Sequence, residues 1–261
     1  MKQTDRLDAL TEYIIGAGSA KIEDLVERFG VTNVTIHRDL DTLQQRGILR
    51  KSRGFVTAIA SSLFEANPEF RKRQNVRAKR EIVAEAFKFV DPGHSIVLDD
   101  STTCLHLAEL LPSRQPLTVI THFQSAIDIV VKHPSISLIS LGGQYYQWSN
   151  AFMGPLTISA MKSLHADIFF MSTPSIIDDA CFHQHYDATL IKQAMFESAA
   201  RRFLMADSSK FELRALHRSI PLKDFDAVIV DSATPQSRLQ ALEDLGVNVV
   251  VAEPLAPSAQ R

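Results

Sequence analysis

The chain has 261 residues, 45% hydrophobic and 22% charged, the balance of an ordinary globular protein and enough length for two modest domains. A formal net charge of −2 excludes reliance on a global cationic field for nucleic acid, though a local basic patch is enough for that task. Cys104 and Cys181 stand far apart with no metal-ligand spacing, which excludes a disulfide framework or zinc site and implies reduced, partly buried thiols.

In chain order, residues 1–58 form one small unit. Leu7, Leu10, Ile14 and Ile15 recur at helical spacing, and Gly16 and Gly18 punctuate the end. A second helix is expected over 22–29, with Ile22, Leu25, Val26 and Phe29 on one face and Gly30 as the turn. A third is expected over 33–46, burying Ile36, Leu40 and Leu43, capped by Thr32 and stopped by Gly47. Residues 48–59 read as a hairpin around Ser52-Arg53-Gly54. Residues 59–78, SSLFEANPEFRKRQNVRAKR, read as a charged linker, partly helical towards its end. Its basic run, Arg71, Lys72, Arg73, Arg77, Lys79 and Arg80, has two readings, added phosphate contacts beside the wing or a solvated linker helix.

From residue 79 to 255 apolar strands alternate with amphipathic helices. Strands are expected at 95–99, 117–121, 137–141, 167–171, 202–206, 227–230 and 248–251, with helices at 104–111, 123–132, 188–200 and 236–245. Short continuous apolar strands between helices indicate a mainly parallel sheet covered on both faces, so this domain is expected to be open α/β. The charged opening MKQTDRLDALTEY lacks a secretory apolar core, and no apolar run reaches the roughly 18 residues of a membrane span. The cytoplasm is the expected location.

Two short helices joined by a tight turn, the second led by a capping residue, make a helix-turn-helix. Such a second helix lies in the major groove and presents its N-terminal side chains to base edges. Here these are Asn33, Thr35, His37 and Arg38, beside the cap Thr32. Asn and Arg can contact adenine and guanine with two hydrogen bonds each. Arg46, Arg50, Lys51 and Arg53 follow with no acid between them, a basic wing suited to backbone phosphates.

In the α/β domain, ligands are expected beyond the carboxyl ends of the strands. That rule selects Asp99, Asp100, Ser101, Thr102 and Thr103, then Thr121 and His122, then Gly142 and Gly143, then Asp207 and Lys210, with Lys192 supplying a cation from the preceding helix. The aspartates suit sugar hydroxyls better than phosphate, and paired glycines let backbone approach a ligand. Asp178, Asp179, His183 and His185 have metal-ligand types, but no second cluster completes a coordination sphere, so neither metal nor cofactor is expected.

The run VERFGVTNVTIHRDLDTLQQRGILRKSRG resembles the winged helix-turn-helix of the DeoR family of bacterial regulators. Val31, Thr35, Ile36, Arg38, Asp39, Leu40, Leu43 and Gly47 match that pattern, whereas His37 stands where arginine is usual and Phe55 where a second wing glycine is usual. Residues 71–254 resemble the family's sensor domain, itself similar to ribose-5-phosphate isomerase. Asp99, Thr102, Thr103, Thr121, Gly142, Gly143, Gly154, Lys192, Asp207, Ser209, Lys210 and Phe211 fit, while Ser101 replaces glycine and His122 replaces asparagine. Met171–Ser175 replaces a glycine-containing loop, and Cys181-Phe182-His183 a glycine-leucine-threonine type run. The resemblance implies a repressor of carbohydrate catabolism genes, acting as a homodimer or homotetramer on operator DNA and controlled by a sugar phosphate or related metabolite. It implies no catalysis. The alternatives are a sugar-phosphate isomerase fused to a DNA-binding module, or a regulator whose sensor serves only to oligomerise.

Overall fold

The computed structural model describes residues 3–17, 19–45, 48–58 and 68–255. The chain divides into two compact units, residues 1–70 and 71–261. Arg46, Gly18 and Gly47, residues 59–67 of the expected linker and residues 256–261 lie outside the described residues.

The first unit contains α1 (Gln3–Ala17), β1 (Ser19–Lys21), α2 (Ile22–Phe29), α3 (Asn33–Gln45), β2 (Leu49–Ser52) and β3 (Phe55–Ala58). The bounds of α2 agree with its apolar spacing, and Gly30 ends it in the left-handed conformation at φ +61°, a geometry that favours glycine. Along α3 the buried residues are Ile36, Asp39, Leu40 and Leu43, the spacing that puts side chains on one helical face. Ile15 departs from its expected place: it is exposed, because it lies one residue off the stripe formed by Leu7, Leu10 and Ile14. The hairpin gains a third strand. β1 pairs antiparallel with β3, Ala20 opposite Val56, giving the order β1-β3-β2. Leu25, Leu40, Leu49 and Val56 belong to one apolar core that joins the helices to this sheet.

Asp39 is a carboxylate on the buried face of α3. Arg6 Nε lies 2.6 Å from its Oδ2, and Gln3 Nε2 donates to its Oδ1 at 3.4 Å. Asp39 is 1% exposed, so this ion pair sets how α3 lies against α1.

The second unit continues from α4 (Pro68–Arg73), which crosses the boundary in sequence. It holds α5 (Val76–Ala86), β4 (Ser95–Leu98), α6 (Thr102–Ala108), β5 (Leu117–Thr121), α7 (Gln124–Val130) and β6 (Ile136–Ser140). Next come β7 (Gln144–Tyr146), β8 (Ala151–Met153), α8 (Pro155–Lys162), β9 (Ala166–Met171), β10 (Ser175–Ile177), β11 (Ala180–His183) and α9 (Tyr186–Glu197). β12 (Ala199–Ala206), β13 (His217–Pro221), β14 (Ala227–Val230), α10 (Gln236–Asp244) and β15 (Val249–Val251) complete it. The seven expected strands form one parallel sheet in the order β15-β14-β12-β9-β4-β5-β6. In the inner strands β14, β12, β9, β4 and β5 the apolar runs are buried because helices cover both faces, whereas the edge strands β6 and β15 are partly exposed.

Sequence spacing did not indicate the small antiparallel pieces β7-β8 and β10-β11-β13, or helix α8. From β4 the chain steps outward through β5 to β6, then returns to the other flank of β4 as β9. The carboxyl ends of β4 and β9 therefore flank a topological switch point, where open α/β sheets offer a crevice.

Removing the Asp39 carboxylate strands the Arg6 cation. Asp39→Ala is expected to destabilise the first unit by about 3 kcal/mol, the scale for breaking one partner out of a buried ion pair. Hydrogen exchange on the full chain checks this: amides of α1 and α3 lose protection, and those of the parallel sheet keep it.

Candidate functional site

Two surfaces carry the chemistry, one in each unit. On the first, Thr32 Oγ1 accepts from Thr35 N at 3.3 Å and caps α3. Thr35 is drawn into that cap, its own hydroxyl 2.9 Å from Thr32 Oγ1. Asn33, His37 and Arg38 are exposed beyond it, opposite the buried stripe. Val34, not among the expected contacts, is 80% exposed on the same turn. The available signal was its position off the core spacing of α3.

In the wing, Arg50 and Arg53 are exposed. Lys51 is not free as the bare run of cations implied. Its Nζ lies 2.6 Å from Asp41 Oδ1 on α3, and its backbone N donates to Gln44 Oε1 at 3.0 Å. Lys51 thus ties the wing to the helix.

On the second unit, the switch point gathers buried charge. Asp99 sits just past β4 and is fully buried. Its Oδ1 accepts from Ser101 N at 2.9 Å, and its Oδ2 from Ser172 N at 2.9 Å and from Lys192 Nζ on α9. Lys192 Nζ also lies 3.0 Å from Asp100 Oδ1. Burial opposes the Lys192 charge, but Asp100 and Asp99 outweigh it and raise its pKa. Burial likewise opposes the Asp100 charge, yet Lys192, then His122 and His183, hold its pKa below the ordinary carboxylate range. His122 is fully buried, its Nδ1 2.7 Å from the Phe152 carbonyl, and burial lowers its pKa.

Other expected ligand groups are committed locally. Ser101 Oγ accepts from Cys104 N at 3.1 Å and caps α6. The Thr121 hydroxyl donates to Leu98 O at 2.9 Å and accepts from Phe123 N at 3.1 Å. Thr103 is buried in the first turn of α6. Gly143 serves packing: a Cβ there would lie 2.1 Å from Thr157 Oγ1 and 2.8 Å from Met153 O. The Thr157 hydroxyl donates to the Gly142 carbonyl at 2.8 Å, so the glycine pair seats the start of α8. Both cysteines are wholly buried, and burial pushes the Cys181 thiol up to about 12. Asp179 meets Arg218 at 2.9 Å, and no group of three or more metal-ligating side chains occurs among the described residues.

The solvated reading of the basic run fails at Lys79 and at Arg71, which is half-buried. Arg73, Arg77 and Arg80 are exposed, but Lys79 is 3% exposed. It donates to Thr102 Oγ1 at 2.9 Å and to the Arg71 carbonyl. Burial, then Lys210 and Arg71, lower its pKa to about 7 against the opposing pull of Asp207. Asp207 lies 3.7 Å from Lys210 and accepts from Asn75 Nδ2 at 2.9 Å. Arg71 bears electrostatically on both Asp100 and Lys79. The site thus has a carboxylate-rich corner at Asp99, Asp100 and His122, and a cation-rich one at Lys79 and Lys210. Beside the first, His185 N donates to His183 Nδ1 at 3.0 Å, and Trp148 stacks on His185 with ring centroids 3.8 Å apart.

Lys79 gives a pH signature. Its value is about 7 when folded and about 10.4 when unfolded, so between those values the unfolded chain binds the extra proton and stability rises with pH. Denaturant titrations from pH 7 to 10 are expected to show that rise, and Lys79→Met to flatten it.

The DeoR C terminal sensor domain matches residues 74–232, and the DeoR-like helix-turn-helix domain matches residues 6–62. The uncharacterized HTH-type transcriptional regulator YulB of Bacillus subtilis is 33% identical over 95% of this chain and 96% of its own length. The lactose phosphotransferase system repressor of Staphylococcus epidermidis is 27% identical over 89% of this chain and 93% of its own. The L-fucose operon activator of Haemophilus influenzae is 26% identical over 94% and 99%. Ribose 5 phosphate isomerase A from Neisseria gonorrhoeae aligns with a TM-score of 0.38 at 14% identity, over 51% of this chain and 52% of that one, a likeness too slight to carry function. The two family matches together span nearly the whole described chain, and it belongs to the DeoR family of DNA-binding transcriptional regulators.

Proposed function

We propose that this regulator represses carbohydrate catabolism genes and that a sugar phosphate or related metabolite, bound at the switch point, releases it. The observation that carries the effector reading is the pairing of two unlike corners in one buried site. Lys79 and Lys210 suit an anionic end, and Asp99, Asp100 and His122 suit a hydroxylated end. Relatives named for a lactose phosphotransferase system and an L-fucose operon support the carbohydrate class. Lys192, held protonated between two carboxylates, is a binding cation here and not a proton acceptor. Coupling to DNA requires that the metabolite favour one arrangement of an oligomer over another.

For the operator, Asn33, His37 and Arg38 read base edges and Val34 packs against a thymine methyl, while Arg50 and Arg53 hold phosphates. Thr32 and Thr35 preorganise the helix start through their shared cap. Lys51 contributes by bracing the wing, and Arg46 would add a phosphate contact. A histidine at position 37 lacks the two-pronged fork of arginine, so the operator is expected to differ from that of relatives with arginine there.

The DNA reading is checked by binding of the full chain to promoter DNA from its own gene neighbourhood at two salt concentrations. Affinity is expected to fall steeply as salt rises, and Arg38→Ala to cost about 1–3 kcal/mol and relax one base preference. Absent or salt-insensitive binding would sink it. The effector reading is checked by thermal shift with sugar phosphates, free sugars and polyols, because a ligand of the folded state raises its melting temperature. Sugar phosphates are expected to raise it most, and Lys79→Met to erase their advantage over free sugars.

A further inference from the structure

Two buried polar atoms in the carboxylate-rich corner have no hydrogen-bond partner: Asp100 Oδ2 and His122 Nε2. Their residues are 2% and 0% exposed, so bulk water does not serve them. An unmatched buried acceptor or donor is costly, and native structures keep few of them without a reason. The two lie in one corner, with His122 Nε2 3.9 Å from Asp100 Oδ1, too far for a direct hydrogen bond.

The polarity of both atoms follows from their partners. A carbonyl oxygen only accepts, so the 2.7 Å contact with Phe152 O places the ring proton of His122 on Nδ1. Burial favours the neutral ring, which leaves a lone pair on Nε2. Asp100 is ionised beside Lys192, which takes its Oδ1 at 3.0 Å and leaves Oδ2 as a second acceptor. A partner for this corner must therefore bring two neighbouring donors. A phosphate group brings acceptors and negative charge, so it does not fit here.

We infer that Asp100 Oδ2 and His122 Nε2 receive a pair of hydroxyls on adjacent carbons of the effector, so that this corner selects a vicinal diol and orients the phosphate away from it. This rests on the effector reading above and adds which end of the molecule lies where. It also gives Asp100 and His122 a role in choosing the effector and not only in packing. An ammonium group in place of one hydroxyl would satisfy the same acceptor, whereas a hydrogen would not.

The experiment uses the full wild-type chain and titration calorimetry. The probes are ribose 5-phosphate and glucose 6-phosphate, their deoxy counterparts at each ring carbon, and glucosamine 6-phosphate. For a probe that binds, loss of either of two adjacent hydroxyls is expected to weaken binding at least tenfold, and loss at other carbons much less. Retention of affinity by the amino sugar where the deoxy sugar loses it marks a donor requirement. Inorganic phosphate is expected to bind Asp100→Asn no more weakly than wild type, because the substitution removes a negative charge from the site. In that variant the new amide oxygen faces Lys192 and its NH2 fills the acceptor position, so the sugar phosphate loses at least tenfold.

A ligand-independent readout stands beside these: nitrogen-proton NMR of His122 is expected to show the proton on Nδ1 at pH 7. A proton on Nε2 overturns the inference even if sugar phosphates bind, as does a bound probe indifferent to every hydroxyl. If no probe binds the wild type while DNA binding is intact, the effector reading itself falls and this inference with it.

Discussion

The Lys192 ammonium, enclosed by Asp99 and Asp100, is the interaction on which the second unit's functional end depends. Taking three charges out of water is expensive, and only close pairing with further hydrogen bonds offsets the cost. Asp99 supplies those bonds. It accepts from backbone beyond β4, from backbone beyond β9 and from the side chain of α9. One carboxylate therefore fixes both lips of the switch-point crevice and the helix above it. The crevice cannot close as an ordinary apolar core, because the charges within it must keep their partners.

Much of this was legible in the sequence, for a definite reason. α2 follows the 3.6-residue period, and the inner parallel strands appear as apolar runs because both of their faces are covered. The residues after those strands were legible through topology. Asp99, Asp100, His122 and Lys192 do converge. What escaped depends on partners distant in the chain. β1 is three residues long and exists through its pairing with β3, and β11 joins β13 across a long separation. Lys79 hides within a run of like charges, and only the tertiary structure separates it from its exposed neighbours. Gly143 carried the opposite lesson. Its missing side chain makes room for Thr157, a neighbour within the protein.

The two units have separate apolar cores with no residue in common. Each contributes a different kind of specificity. The first presents a capped helix whose outward residues differ from the family pattern at His37, while the buried residues that hold it keep that pattern. The second keeps the sheet and the lysine–aspartate pairing while replacing neighbours around it, as at His122 and His183. In both, the departures lie at residues proposed for recognition and leave the scaffold in place. Relatives of similar length are named as a repressor and as an activator, so the direction of control lies outside what the shared fold fixes.

The stack of Trp148 on His185 has an optical consequence. The chain contains one tryptophan, so its long-wavelength emission arises wholly from the second unit, beside the histidines that bear on Asp100. The first unit has a single tyrosine, Tyr13, lying beneath the guanidinium of Arg28. The chain is thus spectrally divided along the same line as its two cores. Light absorbed and emitted at the red edge speaks for the sensor alone, and the DNA-binding unit stays dark there.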